Sequence, residues 1–196
     1  MVVVGLTGGI GSGKTTILKC FQSIGVPVYI ADVEAKALMN RSKVIRRKLI
    51  DLFGSDAYKD GTLNRPYLAS QIFNDRSVLS KMNAIVHPKV AAHFKRWLKK
   101  QNADYVIKEA AIIFENNLEN QYNYIITVVA DEALRIQRVI KRDNSSEEKV
   151  KSIIKNQLSD AEKIKKSDFV ILNNDLEDAK KQVFKIHKEI LKKIKV

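Results

Sequence analysis

The sequence predicts an α/β fold, a five-stranded parallel sheet flanked by helices, from three observations. The run Gly8-Gly9-Ile10-Gly11-Ser12-Gly13-Lys14-Thr15 fits G-x-x-x-x-G-K-[ST], the phosphate-binding P-loop. Five short apolar segments alternate with helical patterns along the chain, as parallel sheets require. The stretch from Val33 to Ala103 is too long for a simple crossover and reads as several helices, an inserted lobe.

The first strand spans Val2–Thr7, a β-branched run that leads straight into the glycine loop. Residues 17, 18, 21 and 24 then place apolar side chains on one face of a helix. Val26–Ile30, Asp104–Lys108, Tyr124–Ala130 and Asp168–Leu172 read as the other four strands. Within the lobe, helices are predicted over Val33–Asn40, Ser42–Phe53, Pro66–Asn74, Val78–Val86 and Pro88–Gln101, with Gly54 and Gly61 marking turns. Asp131 is placed to cap a helix over Glu132–Lys141, and Ser145 with Glu148 forms a capping box for the next. Basic residues Arg135, Arg138, Lys141 and Arg142 crowd that junction, which suits a lid over phosphates. No internal repeat breaks this single-domain reading.

Each residue type in the loop has a physical task. Glycines allow backbone angles that side chains forbid and a close approach to phosphate. The loop N–H groups of Gly11, Ser12, Gly13, Lys14, Thr15 and Thr16, at a helix N-terminus, present positive partial charge to an anion. Lys14 adds a full charge for the outer phosphates, and Thr15 offers a hydroxyl to Mg2+.

Ligands of open parallel sheets bind beyond the carboxyl ends of the strands. Asp32 follows the second strand by two residues, so it either orients an acceptor hydroxyl and takes its proton or caps the helix near Val33. Glu109 ends the third strand as a Walker B acid would, a second ligand for Mg2+. Glu115 is a further acid, or the partner of a nearby lysine. Arg138 and Arg142 stand one turn apart and either clamp phosphates or solvate the surface. His87, before Pro88 and a predicted helix, fits a structural cap or core residue; no histidine cluster has metal-ligand spacing.

Composition sets outer bounds. The net charge is +13 and the pI about 9.7. Lysines of the last third alternate with Val183, Ile186, Ile190 and Ile194, a solvated face on an amphipathic helix without stacking aromatics, so no nucleic-acid partner is expected. Cys20, the lone cysteine, excludes a disulfide framework and a multi-cysteine zinc site, and is read as buried packing. No apolar run is long enough to span a bilayer, and the opening strand is unlike a signal peptide, so a cytoplasmic enzyme is expected, monomeric or a small homo-oligomer.

The chain resembles the dephospho-coenzyme A kinase family. The resemblance rests on Thr7-Gly8-Gly9-Ile10-Gly11-Ser12-Gly13-Lys14, Phe53-Gly54, Gly61-Thr62-Leu63-Asn64-Arg65, Ile72-Phe73, Asn83 with His87-Pro88, Ile112-Ile113-Phe114-Glu115, Arg138 with Arg142-Asp143, Gln157, and Asp168-Phe169-Val170-Ile171 with Asn173. These follow the family order over nearly the whole chain. The family usually reads Asp-Ala-Asp after its second strand; here Ile30-Ala31-Asp32 keeps the second acid, which the family uses in catalysis. It often has Asp where Glu109 stands and Pro where Ala111 stands.

The resemblance implies a P-loop kinase fold with a nucleotide-binding core over 1–32 and 104–196, an acceptor lobe over 33–103 and a lid near 138–160. It implies ATP as co-substrate with Mg2+, and phosphorylation of the ribose 3′-hydroxyl of dephospho-coenzyme A. The implied roles are Asp32, Lys14 and Arg142 in catalysis, Arg138 and Asn173 on the nucleotide, and Arg65, His87 and Glu115 with Asp32 on the acceptor. A nucleoside monophosphate kinase, whose acceptor arginines Arg41, Arg46, Arg47, Arg65 and Arg76 could supply, and a P-loop ATPase acting on nucleic acid are the alternatives.

Overall fold

A computed structural model describes residues 1–195; the side chains of Asn74 and Arg76 lie outside the described set, and with them the predicted acceptor role of Arg76. Five strands, β1 (Val2–Thr7), β2 (Val28–Ile30), β5 (Tyr105–Glu109), β6 (Tyr124–Val129) and β7 (Phe169–Leu172), form one sheet in the order β2-β5-β1-β6-β7. The ladders of β1 with β5, β1 with β6 and β6 with β7 are parallel. The chain builds one side of β1 with β2 and β5, then crosses to the other with β6 and β7. The switch point therefore lies at the carboxyl end of β1, where ligands of such sheets bind.

These strands are mainly apolar because parallel sheets are covered on both faces. Val4, Leu6, Val106, Ile107, Ile126, Val128 and Ile171 are all fully buried. Helix α1 (Lys14–Ser23) packs against α9 (Leu176–Ile194), whose Ala179, Val183, Ile186 and Ile190 face inward while its lysines face solvent. Cys20 is partly exposed, in contrast to the buried packing expected of it.

Contacts divide the chain into two units, Met1–Tyr29 with Gln101–Val196, and Ile30–Lys100. The second unit contains α2 (Ala31–Arg41), α3 (Lys43–Phe53), a short antiparallel pair β3 (Tyr58–Lys59) and β4 (Thr62–Leu63), α4 (Arg65–Asn74) and α5 (Arg76–Leu98). Ser42, Asn64 and Asp75 each cap a helix by accepting from a backbone N–H. The small β3–β4 pair is absent from the sequence expectation because two-residue strands leave no periodicity.

Two sequence expectations need correction here. The helices expected over Val78–Val86 and Pro88–Gln101 are one helix, α5, with His87 and Pro88 inside it. Val86 and Val90, one turn apart, are both buried, whereas His87, Pro88 and Ala84 are exposed. Burial on one side thus carries the helix past the proline, whose missing N–H falls on the exposed side, next to exposed Ala84. The capping box expected of Ser145 with Glu148 is displaced. Ser146 caps α7 (Glu147–Lys155) by accepting from Lys149 N, because Asn144 in the left-handed region ends α6 (Glu132–Asp143). The reciprocal box instead joins Ser159 and Glu162 at α8 (Asp160–Lys165), a helix absent from the expectation.

Candidate active site

The P-loop leaves the carboxyl end of β1 and turns into α1 at Gly13, whose φ of 88° lies in the left-handed region. Lys14 Nζ folds back onto the loop and donates to the Gly8 carbonyl at 2.8 Å and the Gly9 carbonyl at 3.4 Å. Thr15 and Thr16 are exposed on the first turn of α1. A cationic side chain therefore lies folded along a glycine loop that opens a helix N-terminus, an arrangement fit for a polyphosphate.

Two side chains from the carboxyl side of the sheet meet this loop at Gly13. Asn173, just beyond β7 and 3% exposed, donates from Nδ2 to the Ser12 carbonyl at 2.8 Å. Arg138, from α6, brings its Nη1 within 3.8 Å of where a Gly13 Cβ would stand. That Nη1 is buried with no hydrogen-bond partner among the described residues, as is Ser12 Oγ. A buried guanidinium donor left open beside a phosphate loop is placed to receive an anionic oxygen.

Glu109 closes β5 in register with Leu6 of β1 and is 6% exposed. Its negative charge adds to burial in pushing the neighbouring Tyr122 phenol up to about 12. Burial alone holds the adjacent Lys108 ammonium below its usual range. Beyond β5, Thr7 Oγ1 donates to the Ala111 carbonyl at 3.2 Å and ties the following segment to the β1 end. Thr15 and Glu109 supply oxygen donors only, and among the described residues no group of three or more His, Cys, Asp or Glu is arranged to hold a metal. Hydroxyl and carboxylate oxygens are the hard ligands that Mg2+ takes, the ion keeping waters and substrate phosphates as its others.

Glu115 is engaged within the protein. Its Oε1 accepts from Leu158 N at 3.2 Å and pairs with Lys163 Nζ at 2.9 Å, the lysine being fully buried. Glu115 Oε2 is buried without a hydrogen-bond partner. Lys163 Nζ also lacks a partner of good hydrogen-bond angle, so the contact is ionic in character. Arg142 stands at the end of α6 with its side chain 63% exposed and donates twice to its neighbour Asp143, at 2.7 and 2.6 Å. That bond holds the guanidinium above its usual range and the Asp143 carboxyl below its own.

The remaining predicted residues belong to the Ile30–Lys100 unit. Asp32 is exposed in the first turn of α2. The position before the helix is Ile30, with no side-chain cap, so the capping role considered for Asp32 is not the one it plays. Arg65 is exposed at the first position of α4. His87 is exposed in mid-helix rather than capping a helix or lying in the core.

A family model described as dephospho-CoA kinase matches residues 2–178. The chain belongs to the dephospho-CoA kinase family. A dephospho-CoA kinase of Bacteroides fragilis (strain YCH46) is 38% identical over 174 residues, covering 88% of this chain and 85% of that protein. A crystal structure from Thermus thermophilus is similar with a TM-score of 0.88 at 29% identity over 97% of both chains. The dephospho-CoA kinase from Campylobacter jejuni gives 0.69 at 25% identity over 96% of both. As a dephospho-CoA kinase family member with a P-loop kinase fold, the chain is a kinase.

From sequence, Arg135 is named only among the basic residues of the α6 junction, and Asp160 not at all. Arg135 is 5% exposed, donates from Nε to the Ile10 carbonyl at 2.9 Å and pairs through Nη1 with Asp160 Oδ2 at 2.8 Å. Its signal was available: Arg135 and Val139 lie one turn apart, so a charge sits on the apolar face of α6. Gln157, one of the residues that carry the family resemblance, accepts from the Ile10 N–H at 2.9 Å.

Proposed function

We propose that this kinase transfers the terminal phosphoryl group of ATP to the ribose 3′-hydroxyl of dephospho-coenzyme A, giving coenzyme A and ADP. The observation that carries the reading is the dephospho-CoA kinase match over residues 2–178. The exposed carboxylate of Asp32 takes the proton of the 3′-hydroxyl as its oxygen attacks the γ-phosphorus; the bond to the bridging oxygen breaks and ADP leaves. Lys14 exchanges its loop carbonyls for the transferring phosphoryl oxygens, and Arg138 fills its open Nη1 with a phosphate oxygen.

Thr15 and Glu109 would hold a magnesium ion, which when bound neutralises charge on the phosphates. Asn173 sets the Ser12–Gly13 backbone under the nucleotide, and Arg142 leaves Asp143 to close over the phosphates, keeping out water that would otherwise accept the phosphoryl group. Arg65 and His87 bind the acceptor from the helical lobe, while Glu115 shapes the acceptor side of the core through Lys163. Among the described residues no helix is long and apolar enough to cross a membrane. We place the reaction in the cytoplasm.

The test mixes the protein with magnesium and ATP and either dephospho-coenzyme A or a panel of nucleoside monophosphates, and weighs the products. The expected outcome is one added phosphoryl group on dephospho-coenzyme A alone. Phosphorylation of a nucleoside monophosphate instead, with dephospho-coenzyme A unchanged, would overturn the reading.

A further inference from the structure

The peptide at the tip of the P-loop is gripped from both sides by the segment running from α6 to α8. The Ile10 N–H donates to Gln157 Oε1, and the Ile10 carbonyl accepts from Arg135 Nε, each at 2.9 Å. The Ile10 side chain packs against the cluster of Ile136, Val139 and Val150 between α6 and α7. Through Nη1, Arg135 also reaches Asp160 at the start of α8, at 2.8 Å. One buried guanidinium therefore joins the loop to a helix 25 residues further on.

The approach is just as close along the backbone. A Cβ on Gly11 would strike the carbonyl and Cα of Arg135, and one on Gly9 would strike its guanidinium. The general motif leaves both positions open, since only its first and last glycines and Lys-Ser/Thr are specified. Here they are glycine because α6 lies against the loop. Arginine suits the post: its rigid fork donates in two directions at once, which a lysine ammonium on a flexible stem does not reproduce. Its buried charge is met by one carboxylate and one carbonyl, so neither bond is dispensable.

We propose that Arg135 is a positioning residue for phosphoryl transfer, with Asp160 fixing its guanidinium. By holding the Ile10 peptide, Arg135 keeps the loop N–H groups aimed at the triphosphate before ATP arrives, and it touches the loop rather than the substrate. Donors set in advance stabilise phosphate charge without reorganising at the moment of reaction. The inference rests on the ATP-dependent reading above, and its primary test measures ATP binding with no acceptor present.

Arg135→Lys, Arg135→Ala and Asp160→Asn are compared with the unaltered chain by calorimetric titration with ATP, by KM for each substrate, and by urea unfolding. Arg135→Lys and Asp160→Asn are expected to weaken ATP binding and raise KM for ATP about tenfold, while KM for dephospho-coenzyme A stays within about twofold. Arg135→Ala should lose more; if it does not fold, Asp160→Asn, whose carboxylate is 27% exposed, decides the matter. Folded variants that bind ATP as the unaltered chain does would overturn the proposal, as would activity that falls only in step with the folded fraction. Weakened ATP binding in an enzyme that does not phosphorylate dephospho-coenzyme A would sink the acceptor assignment and leave the role of Arg135 standing.

Discussion

Asn173 Nδ2 donates to the carbonyl oxygen of Ser12 at 2.8 Å, linking the end of β7 to the phosphate loop across 161 residues of chain. The amide is 3% exposed, and a Cβ on Gly13 would run into it. Asn173 itself is fixed by its N–H, which donates to the Val129 carbonyl of β6 at 2.8 Å. Asn173→Ala leaves a buried carbonyl without its donor, a loss of about 1–3 kcal/mol. The expected result is a lower urea midpoint together with weaker ATP binding. A variant with both quantities unchanged would remove Asn173 from the loop's support.

Glu115 and Lys163 make the second link, between the segment after β5 and α8. Removing one member of a buried pair strands the other, at about 3–5 kcal/mol. Glu115→Gln therefore destabilises strongly, because Lys163 has no exposed surface from which to recruit water. Lys163→Met is milder, since Glu115 keeps the Leu158 N–H and 18% of its side-chain surface. The double variant should recover part of the Glu115→Gln loss in urea unfolding. Additive losses would show that the two charges do not depend on each other.

The loop, β1 and α1 were legible from local pattern alone, because a glycine run between a β-branched strand and an amphipathic helix is specified by neighbours in sequence. The single helix through Pro88 was not, since the burial of Val86 and Val90 that overrides the proline comes from residues distant in the chain. The site divided in the same way. Lys14 and Thr15 stand at motif positions, whereas Arg135 matters through Ile10 and Asp160, partners 125 and 25 positions away. Ser145 and Ser146 differ only in which residue first turns extended, and periodicity does not resolve one position.

His187 on α9 shares a hydrogen bond of 2.8 Å between its Nδ1 and the phenol of buried Tyr105. Burial, outweighing nearby Asp104, holds the imidazole below its ordinary value of 6.5, and burial pushes the Tyr105 phenol up. A histidine lowered on folding binds more protons when unfolded, so its contribution is complete above pH 6.5 and is lost as pH falls through the depressed value. His187→Gln removes that proton linkage. Its urea stability should therefore fall less than that of the unaltered chain between pH 7 and pH 5. Parallel curves would place the acid sensitivity elsewhere.

Arg142 is the more exposed of the two α6 arginines proposed to meet the phosphates, so its loss should barely alter folding. Substitution of an exposed side chain away from a packed contact shifts stability by about 0.5 kcal/mol or less. A guanidinium that closes on the transferring group is worth far more, about 10³-fold in turnover. Arg142→Ala is expected to lower kcat steeply at an unchanged melting temperature. Unchanged kcat with a much lower melting temperature would make its pair with Asp143 a purely structural contact.

Asp32 separates proton transfer from nucleotide binding most cleanly. It is exposed, it does not cap α2, and it belongs to the Ile30–Lys100 unit, whereas the loop with its Arg135, Arg138 and Asn173 contacts belongs to the other. Asp32→Asn conserves shape and leaves every loop contact in place while removing the base. Loss of a general base costs about 10²–10⁴-fold in rate. The expected variant folds normally, binds ATP with the affinity of the unaltered chain and turns over slower by that factor. Rates within a few-fold of the unaltered enzyme, measured with saturating ATP and dephospho-coenzyme A, would take Asp32 out of the mechanism and return the search for the base to the other acids of the helical lobe.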